Sequence, residues 1–225
     1  MKNSLTQHRK TFSGEYALVV ALLLDSLGVE LQVKSGLGIS CISSVSYVLS
    51  QIFTGLSFGT WNYLVQIFVL ALLVVVTRQW KLGYLVSLVL SVAFGSLLDV
   101  FAAVLTAPVT LVGQAVCYAV GFCVTCFSMW MLQRCLMPIM PFDTFNRDMT
   151  SFFHWNYRTF NTCFNVICLS LSVSLALVFT GHIVGIGPGT VVSALCTGTL
   201  VSAIGGVMDR EVAFQIKYRP MWVFA

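Results

Sequence analysis

Hydrophobic residues in this chain fall into six long segments, roughly 16–33, 61–77, 82–105, 111–137, 160–180 and 190–207. Each is about as long as the 20 residues a helix needs to cross a bilayer. Two of them carry a polar rhythm inside. In the third run Gly83, Ser87, Ser91, Gly95 and Asp99 recur every four residues, and in the sixth Thr190, Ala194, Gly198, Ser202 and Gly206 do the same. Residues at i and i+4 share a helix face. Small residues on one face let helices approach closely in lipid, so both stripes are expected to be helix-packing surfaces.

The two stripes superpose with a shift of 103: Ser87 on Thr190, Ser91 on Ala194, Gly95 on Gly198, Asp99 on Ser202. Upstream, Gly59-Thr60-Trp61-Asn62 opens the second run and Arg158-Thr159-Phe160-Asn161 opens the fifth, a shift of 99. Two matches at nearly one offset point to a duplication within one membrane domain, 1–225, its halves near 16–105 and 111–207. Three spans per half places the halves in opposite orientation, an inverted-topology repeat. Each half also holds a polar stretch between its first two spans. The first has Gly36 and Gly38, then serines at 40, 43, 44, 46 and 50; the second has Pro138 and Pro141, then Asp143, Thr144, Arg147 and Asp148. Both read as short helices, near 39–53 and 142–153, capped by Ser40 or Ser43 and by Asp143. They either dip into the membrane from opposite sides or lie flat on its two surfaces.

Composition adds that only 9% of residues are charged, against about 25% in a soluble domain. The expected fold is therefore all-α, a six-span polytopic membrane protein. Charge then orients it. Lys2, Arg9 and Lys10 precede the first span, Arg78 and Lys81 lie between the second and third, and Arg134, Arg147 and Arg158 surround the connection from the fourth to the fifth. Arg210, Lys217 and Arg219 follow the sixth, leaving Lys34 as the exception. The positive-inside rule makes that face cytoplasmic. The net charge of +4 is thus a topology signal, which argues against a nucleic-acid partner. The polar start before residue 16 imitates a signal peptide, but Asp25, Glu30 and Gln32 follow without a small-residue cleavage site, so an uncleaved first span is expected.

Candidate chemistry is sparse. Asp25 and Asp99 lie inside spans, where a charge costs about 2.5–3.5 kcal/mol on insertion scales, so each is a candidate for solute or proton binding. Glu30 is read as a surface residue. Ser43, Ser44 and Tyr47 of the first short helix would meet Asp143, Thr144 and Arg147 of the second near the midplane if both dip. Paired helix N-termini there would suit a small polar or anionic solute. Cys123 and Cys126 form a C-x-x-C without a second pair, and the eight cysteines read as packing residues. His8, His154 and His182 are far apart and suggest no metal site, and Gly185-x-Gly187-x-Gly189 lacks the Lys–Ser/Thr pair of a phosphate loop. No nucleophile–base pair is evident, so neither an enzyme nor a cofactor is expected.

The stretches Gly36-Leu37-Gly38-Ile39-Ser40, Ile42-Ser43-Ser44-Val45, Leu56-Ser57-Phe58-Gly59-Thr60, Phe94-Gly95-Ser96-Leu97-Leu98-Asp99 and Gly185-Ile186-Gly187-Pro188-Gly189-Thr190-Val191 together resemble the YczE/YyaS/YitT group of bacterial membrane proteins, in its YczE-like branch. The resemblance spans nearly the whole chain from Leu27 and implies an integral inner-membrane protein, without an activity to carry over. Cys41 and Ser46 stand where such proteins usually have proline, and Asn161 or Thr162 where an acid is frequent. The expected function is a carrier or channel for a small polar or anionic solute. The alternative is a scaffold or accessory protein acting through a membrane partner or a second copy of itself. If the six-span reading is right, reporter fusions within residues 101–108 and after Ala225 will give opposite signals, outer and inner. Identical signals would eliminate it.

Overall fold

The computed structural model describes residues 10–134, 139–182 and 185–215. Eight helices follow in chain order: α1 (Gly14–Ser35), α2 (Cys41–Ile52), α3 (Phe58–Thr77), α4 (Leu82–Val104), α5 (Leu111–Arg134), α6 (Pro141–Phe153), α7 (Tyr157–Thr180) and α8 (Pro188–Glu211). Six are long and apolar enough to cross a membrane, and α2 and α6 are the short pair between them. The expected spans match these helices within a few residues. The last part of the fourth expected span, at 135–137, lies outside the described residues. Two four-residue strands, β1 (Lys10–Ser13) and β2 (Val212–Gln215), pair in parallel and tie the start of α1 to the end of α8. Among the described residues the fold is otherwise helical.

That strand pair sets both ends of the described chain on one face, called the near face below. Arg134 at the end of α5 pairs with Asp209 near the end of α8 at 2.5 Å, on the same face. At the far face Lys34 in the last turn of α1 donates to the carbonyl of Ala102 near the end of α4, 2.8 Å away.

α1 is the centre of the bundle. It lies against α5 along most of its length and against α4 on another side. Gly28 crosses Gly121 so closely that a Cβ at Gly28 would meet the Thr125 hydroxyl and, at 2.8 Å, the Gly121 carbonyl oxygen. Ser128 donates to Ala21 O at 2.7 Å, Cys117 Sγ to Leu31 O at 3.3 Å, and Gln32 Nε2 to Thr125 Oγ1 at 3.1 Å. A second close crossing joins α3 to α4, where a Cβ at Gly59 would run into the Gly95 carbonyl and one at Gly95 would lie 2.5 Å from the Gly59 carbonyl.

The short helices begin inside this bundle. Before α6, Ser87 in the second turn of α4 donates to Ile139 O at 2.7 Å, and Met140 joins the apolar cluster that includes Ala17, Ala21 and Leu22 of α1. α6 then runs out to the near face, where Asp148 meets Lys81. Before α2, the backbone at Leu37–Ile39 docks on the glycine run that opens α8: Gly189 N donates to Leu37 O at 2.9 Å and Ile39 N to Gly185 O at 3.2 Å. Gly38, at φ +121, touches Thr190. Ser44 meets Ser172 of α7 at 2.7 Å, eight residues or about 12 Å from the far end of that helix. α2 ends at the far face, where Phe53 packs on Trp61 of α3. The first turns of the two helices belong to one apolar cluster, which holds Leu70 of α3 and Phe142 and Phe145 of α6 and against which Ile42 of α2 packs.

Three expectations change. Asp143 sits inside the first turn of α6, whose N-cap is Met140; Ser40 does cap α2, but its side chain makes no capping hydrogen bond. The α4 stripe does pack: Ser87, Ser91 and Gly95 are buried. The α8 stripe does so only at Thr190; Ala194, Gly198, Ser202 and Gly206 are exposed. The reason is that α8 turns a different side to its neighbour α5, with Leu200, Val201 and Ile204 packed on Tyr118, Phe122 and Cys126. α7 and α8 do not form the close pair that α3 and α4 form. Accordingly, Gly95→Leu will destabilise the protein by about 3 kcal/mol, the upper part of the overpacking range, because backbone stands in the way. Gly198→Leu, with nothing within 4 Å, will change stability by under about 0.5 kcal/mol. Thermal melts of the two purified variants check the contrast.

Candidate functional site

Buried polar groups without partners mark where the interior is built for something besides packing, since each costs about 1–3 kcal/mol if left unsatisfied. Among the described residues such atoms occur on Asp25, Glu30, Gln32, Ser46, Asn62, Gln66 and Asn146. They lie on α1, on both short helices and on α3, the elements around the bundle centre.

Asp25, at the middle of α1, is 5% exposed. Its near neighbours are Ser128 of α5 and Asp143 at the start of α6, and its Oδ1 has no partner. Glu30 is 2% exposed, which overturns its reading as a surface residue. α1 lies between α4 and α5, so a residue near its far end is still enclosed. Glu30 Oε1 is 3.9 Å from Lys34 Nζ, and Oε2 has no partner. Tyr47 of α2 and Asp99 of α4 lie within electrostatic reach. A cavity of about 280 Å³ at the far face is lined by Val33, Gly36 and Gly38, by Ile39 and Tyr47 of the α2 region, and by His182 and Gly185; Glu30 is not part of its lining. The Tyr47 ring stands edge-on to Phe58, centroids 5.6 Å apart.

On α3, Asn62 and Gln66 are each 1% exposed and bonded to one another, Gln66 Nε2 donating to Asn62 Oδ1 at 2.5 Å. Asn146 of α6 donates through Nδ2 to Asn161 Oδ1 of α7 at 2.9 Å.

Asp99 has a different occupation. Its Oδ1 accepts from Gly59 N at 2.9 Å and its Oδ2 from Ser57 Oγ at 2.6 Å. It caps the N-terminus of α3, where free N–H groups and the helix dipole favour an anion. The small stripe did aim it at the helix interface, and there it is fully engaged. Ser44 is likewise engaged, with Ser172 and Cys41 O, and Thr144 donates to Ile139 O at 3.2 Å. Ser43 is buried. Arg147 is exposed and points to Asp148 Oδ1 at 2.9 Å, so the expected meeting of Arg147 with the α2 serines at mid-depth does not occur. Phe142 and Phe145 of α6 pack instead on Phe160 and Phe164 of α7.

Arg147 belongs to a network at the near face that sequence reasoning missed. Asp148 accepts from Tyr84 OH at 2.8 Å, Lys81 Nζ at 3.1 Å and Arg147 Nε at 2.9 Å. Burial alone would push its pKa up, but the Tyr84 hydroxyl and the two cations outweigh that and hold it below the usual carboxylate range. An i, i+67 pairing from a loop to a short helix has no local sequence signal. Among the described residues no group of His, Cys, Asp and Glu could hold a metal ion. The seven described cysteines are free, three of them buried; Cys135 lies outside the described residues.

Six apolar spanning helices around a polar centre define a polytopic membrane protein. The chain belongs to the family described as a family of unknown function, DUF6198, whose model matches residues 13–205. No curated protein and no solved structure matches it.

The Asp148 network gives a pH prediction. A carboxyl whose folded pKa is depressed contributes stability that is complete above the unfolded carboxylate range and lost as pH falls through it. Asp148→Asn will therefore cost about 1.5–3 kcal/mol at pH 7, as hydrogen bonds to charged groups do. The gap from wild type will close on acidification. Melting curves of both proteins from neutral to acidic pH measure this.

Proposed function

We propose that the protein is a carrier or channel for a small polar solute in the bacterial inner membrane, built as an inverted-topology repeat with both termini cytoplasmic. The observation that carries this reading is the pair of short helices that start inside the bundle and run out to opposite faces, with unpartnered buried polar side chains beside them. Non-spanning helices at membrane depth are tolerated where protein or a water-filled path shields them, and in transporters with inverted repeats they flank the midplane site.

The pairing of helices supports the repeat. α2 lies on α7 as α6 lies on α3, α1 on α4 as α5 on α8, and α2 on α3 as α6 on α7, with α1 and α5 crossing at the centre. Ser87 and Thr190, superposed by the shift of 103, each receive the chain break before the other half's short helix. Asn146 and Asn161 hold hands across α6 and α7, while Ser46 and Asn62, 100 and 99 residues earlier, are buried with unpartnered atoms. The distribution of Lys and Arg supports cytoplasmic termini. The likeness to the YczE-like branch belongs to the same proposal.

A rival reading, an accessory protein docking through its helices, draws on the exposed small-residue side of α8. Proteoliposomes decide between them. Uptake of a small polar solute above protein-free vesicles is expected, with Asp25→Asn reducing the rate at least tenfold while leaving the protein folded. Absence of uptake across a broad solute panel, together with stable co-purification of another membrane protein, would favour the rival.

A further inference from the structure

The near face holds more cation than anion at one point of the fold. Lys81 Nζ and Arg147 Nε approach opposite oxygens of a single carboxylate, Asp148 Oδ2 at 3.1 Å and Oδ1 at 2.9 Å. Tyr84 gives its hydroxyl to Oδ2 as well. Two cations share one anion, so the group keeps one positive charge in excess. Arg78, three residues before Lys81, is exposed and makes no ion pair among the described residues.

The acid and the two bases differ in access. The Asp148 side chain is 8% exposed, those of Lys81 and Arg147 40% and 54%. The carboxylate therefore forms the inside of the group, and the cations face outward. Each gives Asp148 one hydrogen bond. An ammonium has three donors and a guanidinium five, so both have N–H groups to spare.

Neighbouring residues set this group at the height of lipid headgroups. Lys81 is the N-cap of α4, a spanning helix. Trp80 beside it and Trp155 just past α6 are both exposed, and Trp is enriched where a membrane meets water. Leu85, Val89 and Val92 follow Lys81 at i+4, i+8 and i+11, along one face of α4. All three are exposed. An acyl chain hanging from a headgroup at Lys81 would lie along that face.

We propose that Lys81 and Arg147 form a docking site for one anionic phospholipid. Its phosphate oxygens accept from Lys81 Nζ and from the Nη groups of Arg147, and an acyl chain rests on Leu85, Val89 and Val92. A lipid of no net charge would leave the excess charge of the group unanswered. Bound there, the lipid bridges the α3–α4 connection and α6, the two segments that Asp148 already joins, and braces a short helix at its outer end. The site is independent of the carrier or channel reading and holds equally for an accessory protein.

The test is lipid binding to the purified full chain in detergent, by thermal shift and native mass spectrometry, with phosphatidylglycerol as probe. Phosphatidylcholine of the same chain length and sodium phosphate are the comparisons. Phosphatidylglycerol is expected to raise the melting temperature, because a ligand of the folded state alone stabilises it, and the other two are not. Lys81→Gln and Arg147→Gln should each weaken its affinity about fivefold, the contribution of one basic residue at an anionic lipid surface. Arg134→Gln, on the same face but on α5 and paired with Asp209, should leave the affinity unchanged. Should Lys81→Gln or Arg147→Gln fail to fold, phosphatidylglycerol with a photoreactive acyl chain replaces them; in the wild type its label is expected on α4 within residues 85–92. The inference is overturned if phosphatidylcholine or sodium phosphate stabilises as well as phosphatidylglycerol, or if Lys81→Gln and Arg147→Gln bind like wild type. It is equally overturned if Arg134→Gln weakens binding as much as they do, or if the label falls outside α4.

Discussion

The crossing of α1 and α5 is the contact on which the other features depend. Lipid offers helices no hydrophobic reason to associate, so close backbone approach and interhelical hydrogen bonds must hold them. Gly28 and Gly121 let the two backbones approach, and Ser128, Thr125, Gln32 and Cys117 bond across them. Enclosed this way, α1 tolerates Asp25, Ser26, Glu30, Gln32 and Ser35 as buried residues. An isolated lipid-facing helix with that content would not be stable in a bilayer. The enclosure of α1 is thus both the structural centre and the condition for its buried carboxylates.

Around this centre the two short helices solve one problem twice. Each must start at depth without leaving its backbone groups in hydrocarbon. The chain before α2 bonds to the glycine run of α8, and the chain before α6 bonds to Ser87 of α4. Their first turns then add to one apolar cluster, Phe142 and Phe145 as buried members and Ile42 as a partly buried neighbour.

The two halves of the proposed repeat are not equal. In the first, α3 and α4 close on each other through Gly59 and Gly95, and Asp99 caps α3. In the second, α8 leaves the equivalent Gly198 with nothing within 4 Å. Just 11% of the α8 span is buried, against 56% of α1. α3 and α4 form a closed pair, whereas α8 presents a small-residue side that no described residue covers.

The sequence by itself determined the six spans, their boundaries within a few residues, the two short helices and the packing role of Ser87, Ser91 and Gly95. These follow from apolar run length, from Gly and Pro breaks and from i, i+4 spacing, all properties of neighbours along the chain. It also singled out Asp25. Tertiary structure alone decided which polar residues are hidden and which are spent. Glu30 is buried because α4 and α5 close over α1; Asp99 is spent because the start of α3 lies against it. Arg147 turns outward, paired with Asp148, and the α8 stripe is bare because α8 packs by its other side. Periodicity can say that a residue lies on a face of a helix. Only the arrangement of helices says what, if anything, lies opposite.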